Sequence, residues 1–538
     1  MKINLTFLYI FYFSFNCLSN QATAQTLDSS NLPIIILDTY GQTISDDPRI
    51  TIFMGIIDNG PGNINHVTDP YTDYNGEVTI EIRGSTSQQY PKKSYAFTPV
   101  DSIGNKINAE ILGMPSENDW ILYAPYPDKS LIRNTLTYYF ANKMGYYSSR
   151  TKHVEIVRNG LYRGIYELQE KVKNDNDRVD ISKITPSDTS GDNLTGGYII
   201  KIDKTTGSGA DTFVSSYDSE VFFQFHDPED YELLPIQKDY ITNYVDSFET
   251  ALLSPLFADP DSGFRKFADE NSFINFFLLQ EFGHTIDGYR SSCFMYKDKD
   301  SKGGKLTMGP MWDFNLSYGN ADYCQAFDTI GWQYEFNTVC QGYFPHVPFW
   351  WSKLLEDTTY QNSVQCRWKQ LRESYLHSDS INNWIDSIAN YLDESQQRNF
   401  IKWPILGIYV NWNYYIGLTY QDEVDYLKMW LEKRSKWLDN NLPGNCIPVI
   451  SNTENLMPLS FYVSPNPTNG NFYIGFNSLI RNGVVEVTNS LGQKLYSDKI
   501  NNQRSIELNI VGIASGIYFV KVFDGENQFS KKIIIQNK

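Results

Sequence analysis

The hydrophobic pattern predicts an α+β chain: strands first, helices afterwards, and a small all-β module at the end. Three observations carry this. Short apolar or alternating runs separated by Gly/Asn/Pro/Asp turns fill the first two hundred residues. From about Tyr240 the apolar residues recur at helical spacing. After Pro443-Gly444 and a polar stretch, short strands and Asn/Gly turns return and continue to Lys538.

In order, residues 1–24 read as a cleavable export signal. Lys2 is followed by an apolar run from Leu5 to Phe15 and by Ala22-Thr23-Ala24, an A-x-A cleavage pattern. The run is too short to span a ~30 Å hydrocarbon core, and no later stretch is long and apolar enough, so no membrane span is expected. Leu32 to Leu37, Arg49 to Ile57 and Gly76 to Arg83 are expected strands, with Asp58 to Asn75 a loop. Ser130 to Met144 is an expected helix, opened by Asp128 or Ser130 and stopped by Gly145. Val154 to Val157 and Leu161 to Leu168 flank Asn159-Gly160, a hairpin signature. Gly197 to Ile202 is a further strand. Helical spacing covers Tyr240 to about Leu279, then Val347 to Leu355, Ser363 to Leu376, Ile381 to Leu392 and Glu423 to Leu438. The divisions expected are 25–450 for the main domain, 451–460 for a linker and 461–538 for the terminal module.

The 538 residues are 41% hydrophobic and 20% charged, a globular composition, with a formal charge of −18 that becomes −19 once the leader takes Lys2 away. Such a surface repels nucleic acid and acidic membranes, so neither is an expected partner. The mature chain keeps Cys293, Cys324, Cys340, Cys366 and Cys446, with no C-x-x-C pair to suggest zinc. In an oxidising compartment some should pair. Cys324 and Cys340 bracket a short loop and are the first expectation; the odd count leaves a free thiol. There is no G-x-x-x-x-G-K-[ST] loop, no G-x-G-x-x-G loop and no G-x-S-x-G elbow.

The tail carries Ser464-Pro465-Asn466-Pro467-Thr468-Asn469-Gly470, then Asn489-Ser490-Leu491-Gly492-Gln493, then Gly516-Ile517-Tyr518-Phe519-Val520-Lys521-Val522. These phrases, in this order, resemble the type A sorting domain of the Bacteroidetes type IX secretion system. The resemblance implies an immunoglobulin-like sandwich, the secretion machinery as partner, and a secreted or surface protein.

Four segments of the main domain resemble the CotH-like (spore coat protein H) kinase family. They are Glu81-Ile82-Arg83-Gly84-Ser85-Thr86-Ser87 through Pro91-Lys92-Lys93-Ser94-Tyr95; Asn118-Asp119-Trp120 through Asp128-Lys129-Ser130-Leu131-Ile132-Arg133-Asn134; Gly160 to Lys171; and Asp287-Gly288-Tyr289-Arg290 followed by Gly309-Pro310-Met311-Trp312-Asp313-Phe314-Asn315. The resemblance implies a two-lobed atypical protein kinase, β-rich then helical, that transfers the ATP γ-phosphate to Ser or Thr hydroxyls of a protein with magnesium. Phosphoryl transfer needs cations on the phosphates, an acid for the metal and an acid for the attacking hydroxyl. On that pattern Lys93 and Arg83 are expected on phosphate, Glu170 paired with Lys93, Asp313 on the metal and Asp287 as the base. Ser292 stands five residues after Asp287, where kinases place an Asn metal ligand. Asn315 stands where some members carry a second acid. Both departures weaken metal binding, which keeps a non-catalytic surface protein, binding a partner or a glycan, as the alternative. Phe349-Trp350-Trp351 and Trp412-Asn413-Tyr414-Tyr415 are the aromatic clusters such a protein would offer, against the plainer reading as core.

Overall fold

In the computed structural model the described residues are 25–205, 212–446, 461–489, 492–510, 512–523 and 528–536. The expected signal, the linker and the first two residues of the Ser490 to Gln493 turn lie outside them. The chain divides into two units, one reaching Ile447 and one starting at Pro448.

The first unit is mixed α+β and opens on a closed barrel. Its strands are β1 (Ile34–Asp38), β2 (Ile50–Ile57), β3 (Asn75–Arg83), β4 (Ser94–Val100), β5 (Trp120–Tyr123), β6 (Thr151–Arg158) and β7 (Leu161–Glu170). The order around the barrel is β6-β7-β5-β4-β3-β2-β1. The neighbours are antiparallel except for the closing pair, where β1 lies parallel to β6 with Ile34 opposite Glu155. The pleat explains the unbroken Ile34-Ile35-Ile36-Leu37 run. Ile35 and Leu37 fill the barrel with Met54, Phe97, Trp120 and Leu168. Ile34 and Ile36 face the other way, against Ile57 and Tyr162.

The expected hairpin is β6–β7, and Asn159 and Gly160 both take the positive φ its turn requires. β4 and β5 belong to segments noted in the sequence only as motifs. Helix α1 (Arg133–Lys143) starts three residues later than expected. Its first free N–H, on Arg133, is taken by Asp128 Oδ2 at 2.8 Å, so Asp128 does the capping work from outside the helix.

A second sheet follows: β8 (Tyr198–Ile202), β9 (Thr212–Val214), β10 (Phe222–Asp227), β11 (Cys293–Lys297) and β12 (Thr307–Met308), in the order β9-β10-β8-β11-β12. The helical stretch from Tyr240 to Leu279 is two helices, α2 (Pro235–Leu253) and α3 (Glu270–Gly283), separated where Pro260 and Gly263 interrupt. α4 (Thr358–Arg372), α5 (Ser378–Lys402) and α6 (Tyr420–Asn441) follow. The helix expected over Val347 to Leu355 is only Trp350–Leu354. Its two tryptophans are buried, with Trp351 5.7 Å from the Phe276 ring, so this cluster is core and not a sugar platform. Tyr414 of the other cluster is exposed and stacks on Phe327 at 4.1 Å.

α5 crosses β7 at Gly164, where an added Cβ would lie 2.6 Å from Asn399 Oδ1. Lys92 locks the same crossing: its Nζ donates to the Ile165 carbonyl at 2.5 Å and to Asn399 Oδ1 at 3.0 Å. Burial pushes the Lys92 ammonium down to about 7. Replacing Lys92 with Met keeps the apolar stem and removes both donors. Each acceptor left unpaired costs ~1–3 kcal/mol. Urea unfolding is expected to show a midpoint drop with an unchanged m-value.

Two disulfides close the unit, Cys324–Cys340 as expected and Cys366–Cys446; Cys293 is free and buried.

The second unit is all-β: β13 (Phe461–Ser464), β14 (Asn471–Asn489), β15 (Lys494–Asn509), β16 (Gly516–Phe523) and β17 (Gln528–Ile535). They form one sheet in which β14 pairs with β13, β15 and β16, and β16 pairs with β17. The short strands expected at Val484 to Thr488 and Ile506 to Ile510 are parts of two long ones. The ladder of β14 with β15 breaks register between Gly475 and Ile480. Phe472, Ile474, Val485, Val520 and Ile533 form its core.

Candidate functional site

Asp313 sits in the turn that follows β12, on a backbone held at φ +66°. A non-glycine residue in that region costs ~1–3 kcal/mol and persists only when its surroundings impose it. α1 imposes it. The Asp313 N–H donates to Tyr138 Oη at 3.1 Å and the Phe314 N–H donates to Asn134 Oδ1 at 2.8 Å. Asn134 and Tyr138 are four apart and so share one helix face. Trp312 stacks on Tyr138 with ring centroids 6.0 Å apart and meets Phe294 edge-on.

The backbone of Asp313 is thus gripped while its carboxylate is not. Among the described residues no hydrogen bond reaches it. Burial, then the charges of Asp287 and Asp203, push the Asp313 carboxyl up to about 6, against the opposing pull of Arg83 and Lys204. Three acids and two cations from four separate stretches of chain therefore share one electrostatic neighbourhood.

Each member is placed by its own element. Arg83 ends β3, with its guanidinium 5.7 Å from the centre of the Trp312 ring. Its charge, opposed by burial, is supported first by Asp313. Asp203 and Lys204 follow β8. Asp203 Oδ2 pairs with Lys201 at 2.8 Å. Lys204 Nζ donates at 2.9 Å to Thr86 Oγ1, in the turn Thr86–Gln89 just after Arg83. Asp287 follows α3, which His284 terminates at φ +42°. Its carbonyl accepts from the Arg290 and Ser291 N–H groups. Its side chain is 29% exposed and meets Arg290 Nη2 at 3.2 Å. Left-handed non-glycine residues gather here: His284, Tyr289, Ser292, Asp313, Tyr318, Cys324 and Gln325. Strain of this kind collects at functional sites.

Of the residues singled out in the sequence, Arg83, Asp287 and Asp313 come together. Ser292 and Asn315 lie on the same two loops as the acids, and the Asn315 carbonyl is taken by Asn320 Nδ2 at 2.7 Å. The expected Lys93–Glu170 pair does not form. Lys93 Nζ donates to the Gln88 carbonyl at 2.5 Å. Glu170 is fully buried and pairs with Arg150 at 2.7 Å, with Tyr147 Oη at 3.2 Å. The reason is topological: Glu170 ends β7 against the start of β6, while Lys93 precedes β4, and β5 stands between them. The second cation is instead Lys204, and Asp203 is the third acid. Neither had a signal, since Ile200-Lys201-Ile202-Asp203-Lys204 reads as an ordinary strand end with solvated charges.

As a metal site, the described residues contain no group of three or more His, Cys, Asp or Glu side chains converged for an ion. The donor set is one free carboxylate with two more in its field. Magnesium is commonly held by one or two carboxylates, with phosphate and water supplying the rest, so the residues fit that ion in the company of a phosphate.

Residues 462–536 match the secretion system C-terminal sorting domain, which marks the protein for export to the cell surface or beyond and the secretion machinery as its partner. Among the described residues no helix is long and apolar enough to cross a membrane. No curated protein matches the chain. Among solved structures, a DUF3244 family protein with an immunoglobulin-like β-sandwich fold from Bacteroides vulgatus ATCC 8482 is 13% identical. It covers 14% of this chain and 94% of its own, with a TM-score of 0.13, too low to bear on the fold. Residues 80–438 match the family described as CotH kinase protein, a span of more than half the chain that takes in Arg83, Asp203, Lys204, Asp287 and Asp313 together. The chain is therefore a member of the CotH kinase family with a sorting domain behind it.

Proposed function

We propose that the protein is a secreted atypical kinase that transfers the γ-phosphate of ATP to Ser or Thr hydroxyls of a protein acceptor. The observation that carries this is the Asp313 carboxylate: on a strained backbone, reached by no hydrogen bond among the described residues, its carboxyl raised by the charges of Asp287 and Asp203 and lowered by those of Arg83 and Lys204. The barrel and the helices from α2 onward are read as the two lobes. Asp313, helped by Asp203, would hold magnesium, which when bound neutralises charge on the phosphates. Ser292 and Asn315 are the weaker ligands within the same loops. Arg83 and Lys204 would bind phosphate oxygens, which suits a guanidinium fork and a point charge respectively. Asp287 would accept the acceptor's hydroxyl proton as the new O–P bond forms and the bond to the ADP oxygen breaks.

ATP is scarce outside the cell, so transfer in the periplasm before final export is the natural order of events. Deleting residues 461–538 is expected to leave the protein in the periplasm with the first unit folded, since the chain divides at Ile447. Fractionation and circular dichroism check it; wild-type amounts of the truncated protein in the medium contradict it. The functional reading itself is tested by magnesium-dependent ATP binding and by label transfer from γ-labelled ATP.

A further inference from the structure

Asp287 is the only one of the three acids whose side chain is engaged by a buried arginine. Arg290 is 4% exposed, and each of its nitrogens has a partner. Nη2 meets Asp287 Oδ1 at 3.2 Å. Nε donates to the Ile286 carbonyl at 3.1 Å, and Nη1 donates to the Phe344 and Pro345 carbonyls at 3.3 Å each. The guanidinium carbon lies 4.1 Å from the centre of the Phe336 ring. A planar fork held at all three of its nitrogens has one orientation.

The far side of this grip belongs to the segment closed by Cys324–Cys340 and the residues just after it. That segment also holds the end of α3. Glu281 accepts from the Gln333 and Tyr334 N–H groups at 2.9 and 3.0 Å. His284 Nδ1 donates to the Asp328 carbonyl at 2.9 Å, and Gln333 Nε2 donates to the Ile286 carbonyl at 3.4 Å. Asp328, Gln333, Tyr334 and Phe336 all lie between the two cysteines.

We infer that Arg290 is a positioning residue for Asp287, and that the Cys324–Cys340 crosslink is the brace that keeps Arg290 and the 284–292 turn in place. The inference rests on the kinase reading for its effect on rate, but not for its effect on structure. Formation of the brace is an oxidation. The two thiols lose two protons and two electrons to a disulfide-bearing oxidant, which becomes a dithiol. Such oxidants belong to the compartment outside the inner membrane. Transfer competence would then be completed only after the chain leaves the cytoplasm.

The test uses the full mature chain with two readouts, amide exchange over residues 284–292 and label transfer at saturating ATP. Arg290→Ala and the double variant Cys324→Ser/Cys340→Ser are expected to exchange faster over 284–292. They should lose on the order of 10–100-fold in kcat, with the KM for ATP unchanged, as a displaced catalytic group does. Arg290→Lys should recover part of the rate. Cys366→Ser/Cys446→Ser, which opens the other disulfide, should match wild type in both readouts. Reduction with dithiothreitol should reproduce the Cys324→Ser/Cys340→Ser result. Unchanged exchange over 284–292 in both Arg290→Ala and Cys324→Ser/Cys340→Ser overturns the inference, whatever the rate does. If the double variant fails to fold, the Arg290 pair decides alone: equal kcat in Ala, Lys and wild type overturns it. Faster exchange with no transfer even by wild type leaves the brace standing and removes the kinase reading instead.

Discussion

Asp313→Ala is expected to abolish magnesium-dependent ATP binding. Of the three acids at the site Asp313 is the one that no hydrogen bond reaches among the described residues, and the field of Asp287 and Asp203 already resists its charge. A cation relieves that resistance, so the free energy of binding concentrates on this group. Removing a direct ligand should exceed the ~10–100-fold that losing an outer partner costs. The pH dependence has a definite sign. With a carboxyl pushed up to about 6, the proton competes with the metal below that value. Affinity should fall about fivefold as pH drops from 6 to 5, approach tenfold per unit below that, and level off above 7. Asp313→Asn should remove that slope along with most of the affinity. Calorimetry with magnesium and ATP across this range checks both. Equal binding by wild type and Asp313→Ala would place the metal elsewhere, with Asp203 the next acid to replace.

How far the site was legible follows from distance along the chain. Asp313, Asp287 and Arg83 stood in segments that resemble the CotH-like family, and that resemblance pointed to their chemistry. The hairpin at Asn159-Gly160 announced itself, because two consecutive positive φ angles ask for that dipeptide. Lys204 and Asp203 were silent. Their partners, Thr86 and Asp313, lie more than a hundred residues away and are brought near only by the tertiary fold. Glu170 failed for the same reason in reverse. The hairpin of β6 with β7 sets it against Arg150, and β5 lies between β7 and β4, a barrel order that no local pattern discloses. Lys92, one residue from the lysine that was chosen, proved to be the buried one. The pair lies in the turn before β4, and nothing in Lys92-Lys93 says which of the two side chains the turn sends inside.

Asp287→Asn should stop phosphoryl transfer while nucleotide binding persists. The two acids divide the work. Asp313 is half-hidden, strained and electrostatically poised for a cation, while Asp287 is open enough for an acceptor hydroxyl to reach. Asn keeps the size of Asp and its contact with Arg290, so the 284–292 turn should hold. What it loses is the charge that orients the hydroxyl and the lone pair that takes its proton. The fall in kcat is expected to be on the order of the 10²–10⁴-fold typical of acid–base groups. The KM for ATP should be unchanged, because removing an interaction made only in the transition state leaves ground-state binding alone. The measurement is transfer from γ-labelled ATP to a Ser-rich peptide and to the protein itself, wild type beside variant. Transfer that survives in Asp287→Asn moves the base to another group, and Asp203 is then the acid nearest to hand. ATP binding without transfer in the wild type would instead favour the non-catalytic surface protein. Ser292 and Asn315 would then be the first residues to exchange, each for the stronger ligand it replaces: Ser292→Asn and Asn315→Asp should restore metal binding strength, and with it transfer, if weak ligands alone are what silenced the site.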